Sequence, residues 1–175
     1  MTRPAPAFAL LLCLIGGTAF PAEFPRPAYG FIAHTPDDWK VIVERDKDDE
    51  LRLQFGLPKV WSALEKQTIE NSVSIRADRT FKSLAELVAV DDQRIANTLV
   101  SKEPVKASTP ADEAFILVTT HRGLEYKTYA TYRRVNGVCY VISFTASHGT
   151  FDVNLPRYRE FLENLKFIAP PTAVR

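Results

Sequence analysis

The stretch "YRRVNGVCYVISFTAS" (132–147) constrains the fold more than any other part of the chain. Asn136 and Gly137 both tolerate a positive φ, which a two-residue turn between antiparallel strands demands, so the pair predicts a tight hairpin. The strand after the turn is apolar on both faces, with Val138, Tyr140, Ile142 and Phe144 alternating with Cys139 and Val141. A strand buried on both sides needs a packed layer above and below its sheet. "EYKTYATYRRV" before the turn and "EAFILVTTHRG" upstream predict two further strands. Closer to the amino terminus, "DKDD" (46–49) predicts a turn between an alternation at Val41 and Val43 and a strand "ELRLQFG" that sets Leu51, Leu53 and Phe55 on one face. Another strand is predicted over 68–78, with Ile69, Val73 and Ile75 as its apolar members, after an irregular or briefly helical segment at 57–67.

Two helices supply the layers. "SLAELVAVDDQRIANTL" (83–99) opens on Ser83 and Glu86, the spacing of a capping box in which each side chain satisfies the other's unpaired amide. Leu84, Leu87, Val88, Ile95 and Leu99 form its apolar stripe, which Asp91 interrupts. In "HGTFDVNLPRYREFLENLKF" (148–167), Tyr158, Phe161, Leu162 and Leu165 recur at helical spacing, and Pro156 is expected near the helix start, where its missing N–H costs nothing. His148 falls in the turn before this helix, so it is read as a residue that closes the fold. "EFPRPAYG" (23–30) reads as an extended linker, and Phe167 and Ile168 lead off into a tail.

The first residues have a different character. Arg3 and the amino terminus precede the apolar run "AFALLLCLIGG", which is short for a membrane span, and Gly17 and Ala19 put small residues at −3 and −1 of a signal-peptide cleavage site. Residues 1–19 are therefore expected to be a signal peptide cut after Ala19, with Ala22 as the alternative. Leu12 before Cys13 does not fit a lipoprotein signal, so one cysteine, Cys139, remains in the mature chain, where its setting predicts a buried thiol. Without Arg3 the basic and acidic residues balance at 21 each, so no basic excess points to a nucleic acid. The mature chain is expected to be soluble and exported, periplasmic or secreted, with no membrane span.

Chemical motifs are sparse. No G-x-S-x-G, H-E-x-x-H or C-x-x-C occurs, the glycines are dispersed, and His34, His121 and His148 are far apart in sequence. Asp46, Asp48 and Glu50 alternate as calcium ligands do, but Leu51 and Leu57 stand where such a loop needs glycine and glutamate. Asp37-Asp38, Asp48-Asp49 and Asp91-Asp92 are adjacent pairs that point apart, the first two at turns and the third on a helix surface. No catalytic residue, metal site or cofactor is expected. Among the aromatic residues, Trp39 reads as core, and Tyr126, Tyr129 and Tyr132 fall on both faces of one strand. Trp61, in the irregular segment after Pro58, is the candidate binding residue; the alternative is that it folds back over an edge of the core.

The order of "FIAHTPDDW", "NSVSI" before "SLAEL", "YATYRRVNGVCYVISFTAS" and "LPRYREFLENLKF" resembles the PsbP-like family over nearly the whole mature chain. That family contains the extrinsic oxygen-evolving protein of photosystem II and many exported bacterial relatives. The resemblance implies an α+β protein, an α/β/α sandwich on a mainly antiparallel sheet, with residues 31–168 as one domain, 20–30 as linker and 169–175 as tail. It also implies a non-catalytic accessory or binding role. Photosynthetic members dock through an extended arm and metal-linked histidines; "EFPRPAYG" is the only arm here, and no functional residue carries over. The expectation is a module that binds an envelope protein. The alternative is a carrier of a small, apolar or lipidic ligand, and a hydrolytic enzyme ranks third.

Overall fold

The computed structural model describes residues 22–107 and 109–169. The signal segment, its cleavage site after Ala19, Cys13 and the last six residues of the tail lie outside them. In chain order the elements are β1 (Ala22–Arg26), a 3-10 turn (Pro27–Tyr29), β2 (Phe31–Thr35), β3 (Lys40–Lys47), β4 (Glu50–Gly56), β5 (Val60–Ser62), β6 (Gln67–Ile69), β7 (Ser72–Asp78), α1 (Leu84–Ile95), β8 (Leu99–Pro104), β9 (Glu113–His121), β10 (Leu124–Val135), β11 (Val138–Ser147), α2 (Phe151–Asn164) and β12 (Lys166–Phe167). The result is an α+β protein on a seven-stranded sheet of order β3-β4-β7-β11-β10-β9-β8, every neighbouring pair antiparallel.

Turn chemistry sets the registers. Asn136 (φ 50°) and Gly137 (φ 83°) place Val135 opposite Val138, and Asp48 (φ 52°) and Asp49 (φ 66°) place Lys47 opposite Glu50. Both are the left-handed two-residue connections whose twist suits paired strands. β11 becomes the middle strand, and its two apolar faces enter two cores. Val138, Tyr140, Ile142, Phe144 and Ala146 join the larger core, with Leu51, Leu53 and Phe55 of β4 and Phe151, Tyr158 and Phe161 of α2. Cys139 joins the smaller one with Leu87 of α1, Leu117, Ala130 and Tyr132. Within the larger core the Tyr158 hydroxyl donates to the Ile142 carbonyl at 2.9 Å, anchoring α2 to the sheet.

Several elements depart from the sequence expectation. The linker reading of 20–30 fails over its described part: β1 pairs with β2 from Ala22↔Thr35 to Arg26↔Phe31, and Tyr29 is buried. The Tyr140 hydroxyl donates to the Tyr29 carbonyl, which binds this segment to the core. Phe167 does not lead off into a tail but pairs with Phe31 and meets the Tyr140 ring edge-on at 4.9 Å. Segment 57–67 is not helical; it supplies β5 and the start of β6, whose hairpin turn holds Lys66 at φ 53°. α1 stops at Ile95, because the Thr98 amide and hydroxyl both donate to the Ile95 carbonyl, and Leu99 opens β8 instead of closing the stripe. α2 begins at Phe151, so Pro156 lies inside the helix and not in its first turn. The α1 cap is offset: Ser83 Oγ accepts from the Glu86 amide at 3.2 Å, while Glu86 Oε2 accepts from Lys82 N at 2.9 Å.

Candidate functional site

Trp61 sits in the middle of β5, the short strand whose neighbours Val60 and Ser62 pair with Ile69 and Gln67. It does not fold back over the core: Trp61 is 66% exposed, and Leu64 in the same hairpin's turn is 65% exposed. The hairpin is nevertheless fixed. The Ser62 hydroxyl donates to Glu65 Oε2, the Glu65 amide donates back to Ser62 Oγ at 3.3 Å, and Glu65 Oε1 accepts from the Gly149 amide at 3.0 Å. Gly149 is needed for close approach: a Cβ there would stand 2.6 Å from Glu65 Oε2 and 2.9 Å from Leu64 Cβ. Two large apolar side chains are thus held out by a hairpin braced against the turn that begins α2, an arrangement suited to contact with another surface.

The histidines do not meet as one site. His34 lies on β2, His121 ends β9, and His148 lies in the turn between β11 and α2. His148 Nδ1 is 3.3 Å from Glu125 Oε2, with the two side chains 45% and 52% exposed, and the His148 amide donates to the Glu125 carbonyl at 3.1 Å. This pairs a histidine with a carboxylate, but on open surface, where it ties the turn to β10. Cys139 is buried and burial pushes its thiol pKa up, which keeps the nucleophilic thiolate scarce. Among the described residues no group of three or more His, Cys, Asp or Glu is placed to hold a metal ion. Trp39 is buried and stacks on Phe161 at 5.4 Å between centroids. Tyr129 packs against the larger core and Tyr132 lies in the smaller, on opposite faces of β10.

Two open clefts carry polar groups that sequence reasoning did not assemble. One, of about 640 Å³, is bounded by His34, Asp37, Asp38, Arg157, Glu160 and Lys166, with Asp38 paired to Arg157 at 2.6 Å. The other, of about 470 Å³, lies beside α1, with Arg52, Arg76, Arg94, Ser74, Ser143 and Asp91 among its walls. Asp91 is not on the helix surface as expected. It is buried, with Oδ1 2.7 Å from Arg76 Nη2 and 3.6 Å from Arg94 Nη1, the Arg76 and Asp91 side chains being 14% and 11% exposed. The interruption of the α1 stripe is the one signal of this cleft visible in the sequence. The Tyr132 pKa is pushed well up, first by burial and then by the nearby charges of Asp91 and Asp92.

No protein-family model matches the chain, and no curated protein matches it significantly. Solved structures do. Cyanobacterial PsbP (CyanoP) from Synechocystis sp. PCC 6803 superposes with a TM-score of 0.55 at 12% identity, over 90% of this chain and 98% of that one. PA94 from Pseudomonas aeruginosa, a protein of unknown function suggested to be a regulator, superposes with a TM-score of 0.52 at 14% identity, over 87% of this chain and 99% of that one. Likeness at such identities speaks to architecture, and in architecture this chain is PsbP-like.

Proposed function

We propose that this protein is a non-catalytic, exported accessory module that binds a protein of the cell envelope through the tip of its β5–β6 hairpin. The observation that carries the reading is the joint exposure of Trp61 and Leu64 on a hairpin held rigid by Glu65 and Gly149. A pre-ordered aromatic and a neighbouring aliphatic side chain lose little entropy on docking, and tryptophan is among the residues most enriched at interface hot spots. The apolar leader at 1–19 supports export, and among the described residues no helix is long and apolar enough to cross a membrane. The two cores, one with α1 and one with α2, support an α/β/α sandwich whose faces are occupied by its own helices. That leaves a projecting hairpin as the natural contact.

The reading as a carrier of an apolar or lipidic ligand comes second, because such a pocket has few polar groups, whereas both clefts are bordered by arginine and carboxylate side chains. An enzyme comes third, since the His148 and Glu125 side chains stand on open surface, 45% and 52% exposed. The test is affinity for the envelope partner after Trp61→Ala and Leu64→Asp. Each is expected to weaken binding by about 2 kcal/mol or more, while stability to urea stays within about 0.5 kcal/mol of the parent, as for other exposed positions. Unchanged affinity in both variants would move the contact elsewhere. His121→Ala with His148→Ala is expected to leave cellular behaviour unchanged, and a loss in that variant would restore the enzyme reading.

A further inference from the structure

Across β3, β4 and β7 the registers set Arg45 opposite Arg52 and Arg52 opposite Arg76, three arginines in one cross-strand row. Like charges directly opposite one another destabilise a sheet. α1 brings a fourth, Arg94, to the same place. The answering carboxylates are few: Arg52 Nε donates to Glu50, and Asp91 lies against Arg76 and Arg94. Of the groups that border the cleft itself, three are guanidiniums and Asp91 is the one carboxylate. Lys47, Asp48 and Asp78 lie further along, around the adjoining hollow that shares Arg52 and Arg94.

Arg76 ends this row on the side towards the middle of the sheet. Its Nε and Nη2 are buried and make no aligned hydrogen bond among the described residues, although Nη2 lies close to Asp91. Those two nitrogens form the side-on fork with which a guanidinium grips a carboxylate or phosphate bidentately. Asp91 already faces Nη2 at 2.7 Å, so Nε is the nitrogen left over, and an unpaired buried donor costs more than its bonding would contribute. The cleft floor beside them is also polar. In the adjacent cross-strand row Gln54, Ser74 and Ser143 stand side by side, with the two serine hydroxyls 2.8 Å apart; Ala130 continues the row on β10, and Thr128 lies diagonally beyond it on the same face. The rest of the wall is apolar, with Val43, Ile95, Leu117, Ala130 and Val141, and suits the carbon face of a sugar ring. At about 470 Å³ the cleft falls in the size range of small-molecule sites.

We infer that this cleft binds a small polyhydroxylated organic anion, its carboxylate or phosphate held by Arg76 with Arg52 and Arg94, and its hydroxyls by Ser74, Ser143, Thr128 and Gln54. The site is separate from the Trp61 hairpin and stands or falls independently of it. It matches an acidic sugar or a sugar phosphate better than a fatty acid, because the floor offers hydroxyls where an acyl chain would need methyl groups.

The experiment is an amide-shift titration of the 15N-labelled chain with glucose 6-phosphate and with glucuronate. Glucose serves as the uncharged control and sodium sulfate as the control at matched ionic strength. Saturable shifts at Ser74, Thr128 and Ser143 with either anionic sugar, and none with glucose, are expected. Arg76→Gln and Arg94→Gln should each weaken binding by about tenfold, the loss that goes with one charge-assisted hydrogen bond. Arg94 is on the more exposed side of the helix, so its variant carries the test even where Arg76→Gln does not fold. The inference is overturned by the absence of saturation with both sugars, by equal shifts with sulfate, which would mean an adventitious ion only, or by parental affinity in the folded arginine variants.

Discussion

Asp91 interrupts the apolar stripe of α1 in the sequence, and in the structure it turns inward to Arg76 on β7. The anomaly is legible and its partner is not, because nothing local tells a helix which arginine it will cover. With both side chains largely buried, removing one partner strands the other's charge away from water. Asp91→Ala is expected to cost about 3 kcal/mol in urea denaturation, and the double variant Asp91→Leu with Arg76→Met, which removes both charges, should recover most of that loss. A cost below about 1 kcal/mol would mean that water solvates Arg76 and the pair is a surface contact. Trp61 is less legible: its place after Pro58 leaves it either free of the core or folded back over an edge, and only its exposure in the structure decides between the two. Its bracing is hidden. Gly149 marks the turn before α2, but its need for a bare Cα appears only once Glu65 and Leu64 are packed against it.

At the scale of elements, what the sequence shows follows from the range of the signal. The β3–β4 and β10–β11 hairpins are readable because their turns demand residues that tolerate positive φ, a requirement met within two positions. The buried face of β4 and the double-faced β11 follow from alternation alone. β5 and β6 are not readable, since three residues each are too few for a period, and β8 merges with the helix pattern because Leu99 continues the stripe by spacing. β1 reads as a linker on account of its prolines, yet Pro25 sits in an edge strand, where a missing N–H is tolerated. The α1 cleft is beyond sequence reasoning, as its arginines come from β4, β7 and α1 and meet only through strand register. The β5–β6 hairpin gives a direct test of the packing at Gly149. Gly149→Ala should cost about 1–3 kcal/mol through overpacking and raise hydrogen exchange at the Val60–Ser62 and Gln67–Ile69 amides selectively. Uniform exchange across the sheet would show that the hairpin is not braced there.

For the whole molecule, two cores on either side of one sheet mean that burial reaches most of the tyrosines. Tyr29 and Tyr140 are pushed from 10.0 up to about 12, chiefly by desolvation, with the hydrogen bond to Asp46 adding to the effect at Tyr29. Tyr132 and Tyr158 are raised further, again first by burial. A raised folded-state pKa means that the folded chain holds its protons where the unfolded chain has released them. The contribution is therefore complete below pH 10 and is lost as pH climbs from about 10 to 12 and beyond. The melting temperature is expected to fall across that interval, with the tyrosinate absorbance of these residues rising together with unfolding; ionisation well before unfolding would contradict the burial described. The same two-sided packing leaves the Trp61 hairpin as a projecting apolar feature, and the account as a whole rests on its being a docking surface. The most direct measurement is site-specific photo-crosslinking in the cells that make the protein, with the photoreactive residue at position 61 and, for comparison, at Val153, which is 63% exposed on α2. A single discrete adduct with an envelope protein from position 61, absent from position 153, is the expected result; no adduct at 61, or the same adduct from both positions, would contradict it.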